Sequence, residues 1–179
     1  AYDPVTGNLS GVTNTMSGTN PLANQIAYGY DGSLLTDVSA SGTVNATIHR
    51  IYNSDLQLTD EQVNGGDDII YQYDQDRLLT QAGGLILTND PLSGLLSGTA
   101  LDTVTDNYTY NQFGEVRGYQ ATTSGAPLYT VQYTRDALGR IIQKTETISG
   151  TTHVYAYGYD TIGQLRRVQQ DGITSAQYS

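Results

Sequence analysis

The sequence has no cysteine and no tryptophan, and it has only one phenylalanine and one lysine among 179 residues. The lack of cysteine excludes disulfides, cysteine-ligated zinc sites and thiol catalysis. No apolar run approaches the ~18 residues of a membrane-spanning helix, so we expect no membrane insertion. Eight basic residues stand against 18 acidic ones, which gives a net charge of -10. Because nucleic-acid affinity comes mainly from Lys and Arg contacts to phosphates, this balance argues against a nucleic-acid partner.

The residues that are abundant are typical of strands and turns. Leu, Ile, Val and Phe number 39, and 15 tyrosines supply most of the remaining large apolar surface. The acidic residues are 15 Asp and only three Glu, and there are 20 Gly. Asp and Gly favour turns, whereas helix surfaces favour Glu and Lys. The composition therefore predicts an all-β protein.

A short tyrosine motif recurs eight times, with 16 to 28 residues between copies. Each copy contains one residue of a set that we call the Asx positions: Asp3, Asp31, Asn53, Asp74, Asp90, Asn111, Asp136 and Asp160. In six copies the preceding residue is a tyrosine: Tyr2, Tyr30, Tyr52, Tyr73, Tyr110 and Tyr159. In five copies a tyrosine lies three residues before the Asx position: Tyr28, Tyr71, Tyr108, Tyr133 and Tyr157. Since strand residues two apart face the same side, the pattern predicts a ladder of tyrosines on one sheet face, with Tyr119 outside it.

Two kinds of turn alternate with these strands. The first follows the Asx position and ends at a glycine in five copies: Gly7, Gly94, Gly114, Gly139 and Gly163. The second kind is looser and includes Ser149-Gly150 and Asp171-Gly172. Two strands per copy predict up to 16 antiparallel strands in a meander of about eight hairpins. Because open sheets rarely exceed ~10 strands without curling, we expect this one to form part of a spiral β-shell or repeat fibre.

The motif Tyr-x-Tyr-Asp-x-x-Gly, repeated over Tyr2 to Tyr178, resembles the YD repeat of the RHS/YD-repeat family. Three features depart from it: Arg135 replaces tyrosine, Asn53 and Asn111 replace Asp, and the glycine is missing or displaced near 31, 53 and 74. The resemblance implies a β-strip that spirals into a hollow shell, often around a toxin domain, in a large extracellular or cell-surface protein. Some members cleave themselves at an aspartate; here Asp90-Pro91 is better explained as an ordinary turn.

No residues form a recognisable catalytic motif, and we predict no enzyme activity, no cofactor and no metal. His49 and His153 lie in strand-like runs, where a solvent-facing side chain is the default. The acidic pairs Asp67-Asp68, Asp74/Asp76 and Asp102/Asp106 lack the contiguous ligand loop of a calcium site.

Two functions are therefore compatible with the sequence. The first is a structural segment of a shell or filament. Residues 1–179 would then form a single repeat array, either a fragment of a longer chain or one unit of a polymer. Its expected partners are neighbouring repeats, other copies of itself and an enclosed toxin domain. Copies would associate through their unpaired edge strands. The alternative is an adhesion module that binds glycans or a partner through its tyrosine-rich face. Asn8, Asn45 and Asn107 match glycosylation acceptors, as three-residue motifs often do by chance.

Overall fold

The computed structural model describes residues 1–15, 23–66 and 68–178, and within these ranges the protein is all β, with no helix. Sixteen strands follow one another in sequence order in one antiparallel sheet. The prediction of an antiparallel meander is confirmed. No described segment is a helix long and apolar enough to cross a membrane.

The chain divides into two compact units, residues 1–83 and 84–179. The strands of the first unit are β1 (Gly11–Thr15), β2 (Ala23–Asp31), β3 (Leu34–Ser41), β4 (Ala46–Tyr52), β5 (Leu58–Val63), β6 (Asp68–Tyr73) and β7 (Leu79–Ala82). Ahead of them, Tyr2 and Leu9 form an isolated antiparallel bridge.

The second unit has nine strands. They are β8 (Leu85–Asn89), β9 (Leu96–Leu101), β10 (Val104–Tyr110), β11 (Val116–Thr123), β12 (Ala126–Arg135), β13 (Ile141–Ile148), β14 (Thr151–Tyr159), β15 (Leu165–Gln170) and β16 (Ile173–Gln177). The hairpin of β13 and β14 around Ser149-Gly150 lies where the sequence predicts it.

Each unit is a single layer, so few side chains are enclosed on all sides. Among the described residues only one large apolar side chain, Val131 on β12, is buried, with 3% of its surface exposed. Most other strand residues are half-buried. Stability must therefore come from many cross-strand contacts on the sheet rather than from one enclosed core.

In seven of the eight copies, all but that of Asp3, the hairpin has a register shift just before the residue that precedes its Asx position. In the hairpin of β10 and β11, Thr109 pairs with Gly118 but Tyr110 pairs with Val116, which leaves Arg117 as the extra residue. The other shifts lie at Gly29/Tyr30, Ile51/Tyr52, Gln72/Tyr73, Thr88/Asn89, Thr134/Arg135 and Gly158/Tyr159. These are β-bulges, which bend a strand and redirect its side chains.

The missing glycines of the irregular copies have two different consequences. At Asp31 the connection shortens to the two residues Gly32 and Ser33, with Asp31 paired directly to Leu34. At Asn53 and Asp74 the loop keeps its length, and a non-glycine residue takes the left-handed conformation: Leu56 has φ 63° and Arg77 has φ 66°.

Leu56→Gly is expected to stabilise the chain, because a left-handed L-residue costs about 1–2 kcal/mol and glycine avoids most of that cost. After subtraction of the extra freedom of glycine in the unfolded chain, a net gain of about 0.5–1 kcal/mol remains. Urea unfolding measures it. Leu92→Gly is the control, since Leu92 is also exposed but is not left-handed; an equal gain in both variants would contradict the explanation.

Candidate functional site

The Asx side chain organises the turn that follows it. At seven of the eight positions, Oδ1 accepts backbone N–H bonds from residues two to four further on. Asp160, for example, accepts from Ile162 at 3.0 Å and from Gln164 at 2.8 Å. Asn53 and Asn111 use the same oxygen in the same way. The turn therefore needs the side-chain oxygen and not the charge, which explains the exchange of Asp and Asn.

Three of these aspartates also have shifted pKa values. The pKa of Asp3 lies below its usual value chiefly because of the Thr6 backbone bond, and that of Asp90 chiefly because of the Ser93 hydroxyl. The Arg140 guanidinium, 2.7 Å from the carboxylate, has the same effect on the pKa of Asp136. These contacts favour the ionised form that accepts the turn hydrogen bonds.

Asp160→Asn is expected to change the free energy of unfolding by less than about 0.5 kcal/mol, because the amide oxygen keeps both backbone bonds. Asp160→Ala removes both bonds and is expected to cost about 1–2 kcal/mol. Urea unfolding of the two variants side by side measures the difference. Equal losses in both would show that the charge, and not the oxygen, stabilises the turn.

The tyrosine before the Asx position connects its hairpin to the preceding one. Its hydroxyl donates to the backbone carbonyl of the residue that is paired with the equivalent position of the preceding copy. We call this contact the tyrosine latch. The latches are Tyr30 to Leu9 (3.0 Å), Tyr52 to Leu35 (2.9 Å), Tyr73 to Leu58 (2.9 Å), Tyr110 to Leu96 (2.7 Å) and Tyr159 to Ile141 (2.8 Å).

Arg135, which departs from the sequence motif, makes the equivalent latch. Its Nη1 donates to the carbonyl of Val116 at 2.7 Å, and its Nε lies 3.6 Å from Glu115. The guanidinium also lies 5.8 Å from the centre of the Tyr133 ring. A long side chain with several donors thus reaches the same carbonyl as the phenol does in the other copies.

Tyr110→Phe removes only the latch hydrogen bond and is expected to cost about 1–2 kcal/mol, because the Leu96 carbonyl loses a partner in a half-buried position. The shift of the urea midpoint measures this. Tyr2→Phe is the matched control, since the Tyr2 ring is 72% exposed and its hydroxyl has no partner among the described residues. No difference between the two variants would contradict a stabilising role for the latch.

The tyrosine rings that contact one another directly include one that the sequence predicts to lie outside the ladder. Tyr119 lies 4.9 Å from Tyr108 and 6.0 Å from Tyr129, measured between ring centroids. The prediction that Tyr119 lies outside the tyrosine ladder is wrong, because β11 places it between tyrosines of β10 and β12. Burial, followed by the nearby Asp106 carboxylate, raises the pKa of Tyr119.

Each histidine contacts one aspartate, one on strand β3 and the other in the turn between β15 and β16. His49 Nδ1 lies 2.7 Å from Asp37, and His153 Nδ1 lies 2.7 Å from Asp171. Both pairs are partly exposed, and no Ser or Thr hydroxyl bonds either imidazole in the described parts of the chain. In the same parts, no group of three or more His, Asp or Glu side chains is arranged to hold a metal ion. Asp67, one of the acidic candidates, lies outside the described residues.

An open cleft of about 880 Å³ lies between the turns at Asn111 and Asp136. Its walls include Tyr110, Tyr133 and the bulge residue Arg117, which also line an adjoining space of about 320 Å³. The lips carry Phe113 and Leu138. Sequence reasoning missed this site, since Arg117 lies in no motif and only the bulge turns its side chain toward the tyrosines.

Known proteins share this arrangement of hairpins. The teneurin YD-shell family profile matches residues 1–179, the full sequence. The comparison with curated protein sequences found no match. Two crystal structures with the same fold are those of TcdB2-TccC3-TEV and TcdB2-TccC3-Cdc42, at 14% identity each. Their TM-scores are 0.71 and 0.72, and they align with 96% and 98% of this chain.

The present chain covers only 11% of the length of each of those chains. At that level of identity the likeness concerns the fold alone, which is an all-β array of hairpins joined in sequence order. The family match over all 179 residues adds the assignment. The chain has the fold of a structural shell and belongs to the teneurin YD-shell family.

Proposed function

We propose that this chain is a non-catalytic wall segment of an extracellular β-shell that encloses or displays a toxin or effector. The observation that supports this most directly is the latch. Within each unit, every latch connects one hairpin to its neighbour through a side-chain bond added to the backbone ladder. A wall built this way gains stiffness without an enclosed core, as a hollow container requires.

The motif residues have structural roles in this proposal. The Asx oxygens shape the turns, the latch hydroxyls join the hairpins, and the glycines at 7, 94, 114, 139 and 163 accept positive φ values between 70° and 88°. The two related crystal structures are named TcdB2-TccC3-TEV and TcdB2-TccC3-Cdc42, so each name adds a further component to TcdB2-TccC3. Enclosure of a partner by this chain is our extension from that likeness.

The test uses the intact protein purified from the cells that produce it. Intact mass spectrometry defines any polypeptide beyond residues 1–179, and limited proteolysis with and without urea follows the fate of that polypeptide. We expect it to resist protease until the urea concentration reaches the unfolding midpoint of the shell. Digestion without urea, at the rate of the isolated polypeptide, would overturn the enclosure; detection in the cytoplasm alone would overturn the extracellular assignment.

The carbohydrate-binding alternative has less support from the geometry. The latch tyrosines use their hydroxyls within the sheet, and Tyr108, Tyr119 and Tyr129 use their rings against one another. Eight of the 15 tyrosines therefore already have a partner within the sheet. A glycan array with the purified chain separates the two functions, because a saturable glycan ligand would favour adhesion.

A further inference from the structure

We propose that the cleft around Arg117 binds a polypeptide segment that presents a carboxylate beside an aliphatic side chain. This inference does not depend on the proposed enclosure of a toxin. It stands on three features of the cleft: an unpaired cation, neutralised acids and exposed apolar lips.

The first feature is the charge of Arg117. Its side chain is exposed, lines both the cleft and the adjoining space, and has no hydrogen-bond or ion-pair partner among the described residues. In the equivalent bulge of the six other hairpins the extra residue is uncharged in five, Thr36, Thr59, Thr80, Ser97 and Ile142, and is an arginine, Arg166, in the hairpin of β14 and β15. A bulge of this sheet therefore does not need an arginine.

The second feature is that the acids in the cleft already have partners. Glu115 accepts from Asn111 Nδ2 at 2.7 Å and lies 3.6 Å from Arg135 Nε. Asp136 is paired with Arg140 at 2.7 Å. Arg117 is therefore the uncompensated charge of this cleft, in a protein whose net charge is -10. A carboxylate from a partner would pair with it in the fork geometry that guanidinium groups favour.

The third feature is the apolar surface of the lips. Phe113 is 77% exposed and Leu138 is 76% exposed, although each has its backbone N–H held by the Asx oxygen of its own turn. The same turn position is polar at Asp55 and Asp76 but apolar and exposed at Val5, Leu92 and Ile162. What distinguishes Phe113 and Leu138 is that both line one cleft together with Arg117. Contiguous exposed apolar residues around a polar centre are typical of interaction sites.

The lips favour a peptide over an acidic sugar. Phe113 and Leu138 offer no polar atoms to sugar hydroxyls, whereas an aliphatic side chain would bury apolar area against both. A segment with a carboxylate next to a leucine-like side chain therefore matches the charge and the lips together.

The probe is a fluorescent peptide, Leu-Glu-Leu-Asp-Leu with both ends blocked, titrated with the purified 179-residue chain and followed by anisotropy. Three competitors define the chemistry: the same peptide with Lys for the acids, the same with Ser for the leucines, and an oligogalacturonate as acidic sugar. We expect saturable binding that only the unlabelled original peptide reverses.

Variants locate the site. Arg117→Gln is expected to weaken binding about tenfold or more, since a charged hydrogen bond is lost. The double variant Phe113→Ser, Leu138→Ser should weaken it similarly without unfolding the chain, because both side chains are already exposed. Arg167→Gln is the matched control, an exposed arginine on β15 that lies outside the cleft.

Folding of every variant is checked by its urea midpoint. For any variant that does not fold, Arg117→Lys and the Leu138→Ser single variant take its place. Absence of saturable binding, equal weakening by Arg167→Gln, or better competition by the oligogalacturonate would each overturn the proposal. The last outcome would assign the cleft to an acidic sugar.

Discussion

Tyr119→Ala is expected to lower the free energy of unfolding by about 2–3 kcal/mol, just under the ~3–5 kcal/mol typical of a fully buried aromatic side chain. The ring is half-buried and contacts two other rings, at 4.9 and 6.0 Å. Aromatic pairs contribute about 0.5–1.5 kcal/mol each beyond the burial of their area. Removal of the central ring of three therefore costs more than removal of either end.

Urea unfolding followed by far-UV circular dichroism measures this effect. Tyr2→Ala is the matched control, since the same atoms are deleted from a ring that is 72% exposed, and we expect almost no change. Tyr108→Ala should fall between the two, because Tyr108 contacts one of these rings rather than two. If Tyr119→Ala lowers the free energy of unfolding no more than Tyr2→Ala does, the ring cluster does not stabilise the fold.

Gly98→Ala is the second substitution for which we expect a large loss. Gly98 is buried on β9, and a Cβ atom built there would lie 2.6 Å from the backbone carbonyl oxygen of Asp106. Real Cβ atoms do not approach an oxygen so closely, so β9 and β10 would have to separate at Gly98 and Asn107. Overpacking of this kind costs about 1–3 kcal/mol, and the backbone contact places the expected loss near the upper end.

Gly158→Ala serves as the control for Gly98→Ala. The nearest atom to a Cβ at Gly158 is Cβ of Arg167 at 3.6 Å, an ordinary contact, and neither glycine has a positive φ. Glycine-to-alanine changes that fit stabilise by about 0.4–1 kcal/mol through the unfolded chain, so Gly158→Ala should be neutral or stabilising. Similar urea midpoints for the two variants would contradict the close approach of β9 and β10.

Much of the fold could be predicted because its main determinants are local. The turn at Asp160 depends on an oxygen and on N–H groups two and four residues away, and glycines such as Gly163 allow the positive φ that closes it. Both requirements are visible as a short motif. Repetition of the motif then establishes the number and order of the hairpins.

Contacts between strands were harder to predict. In the sequence, Arg135 is a departure from the tyrosine motif. Only the structure shows that its guanidinium donates to the Val116 carbonyl, in the position where the other copies use a tyrosine hydroxyl. Tyr119 reads as an isolated tyrosine, yet the register of β10, β11 and β12 places it between two others. A shift of one residue in that register would have moved it to the opposite face.

The sequence by itself determined the all-β class, the eight repeats and the two alternating kinds of turn, because each rests on interactions within about five residues along the chain. The tertiary structure alone decided the latches, the ring cluster and the cleft around Arg117. The latch partners lie 14 to 21 residues apart. Whether they meet depends on the bulge before each latch residue, which changes the strand register without a fixed sequence signature.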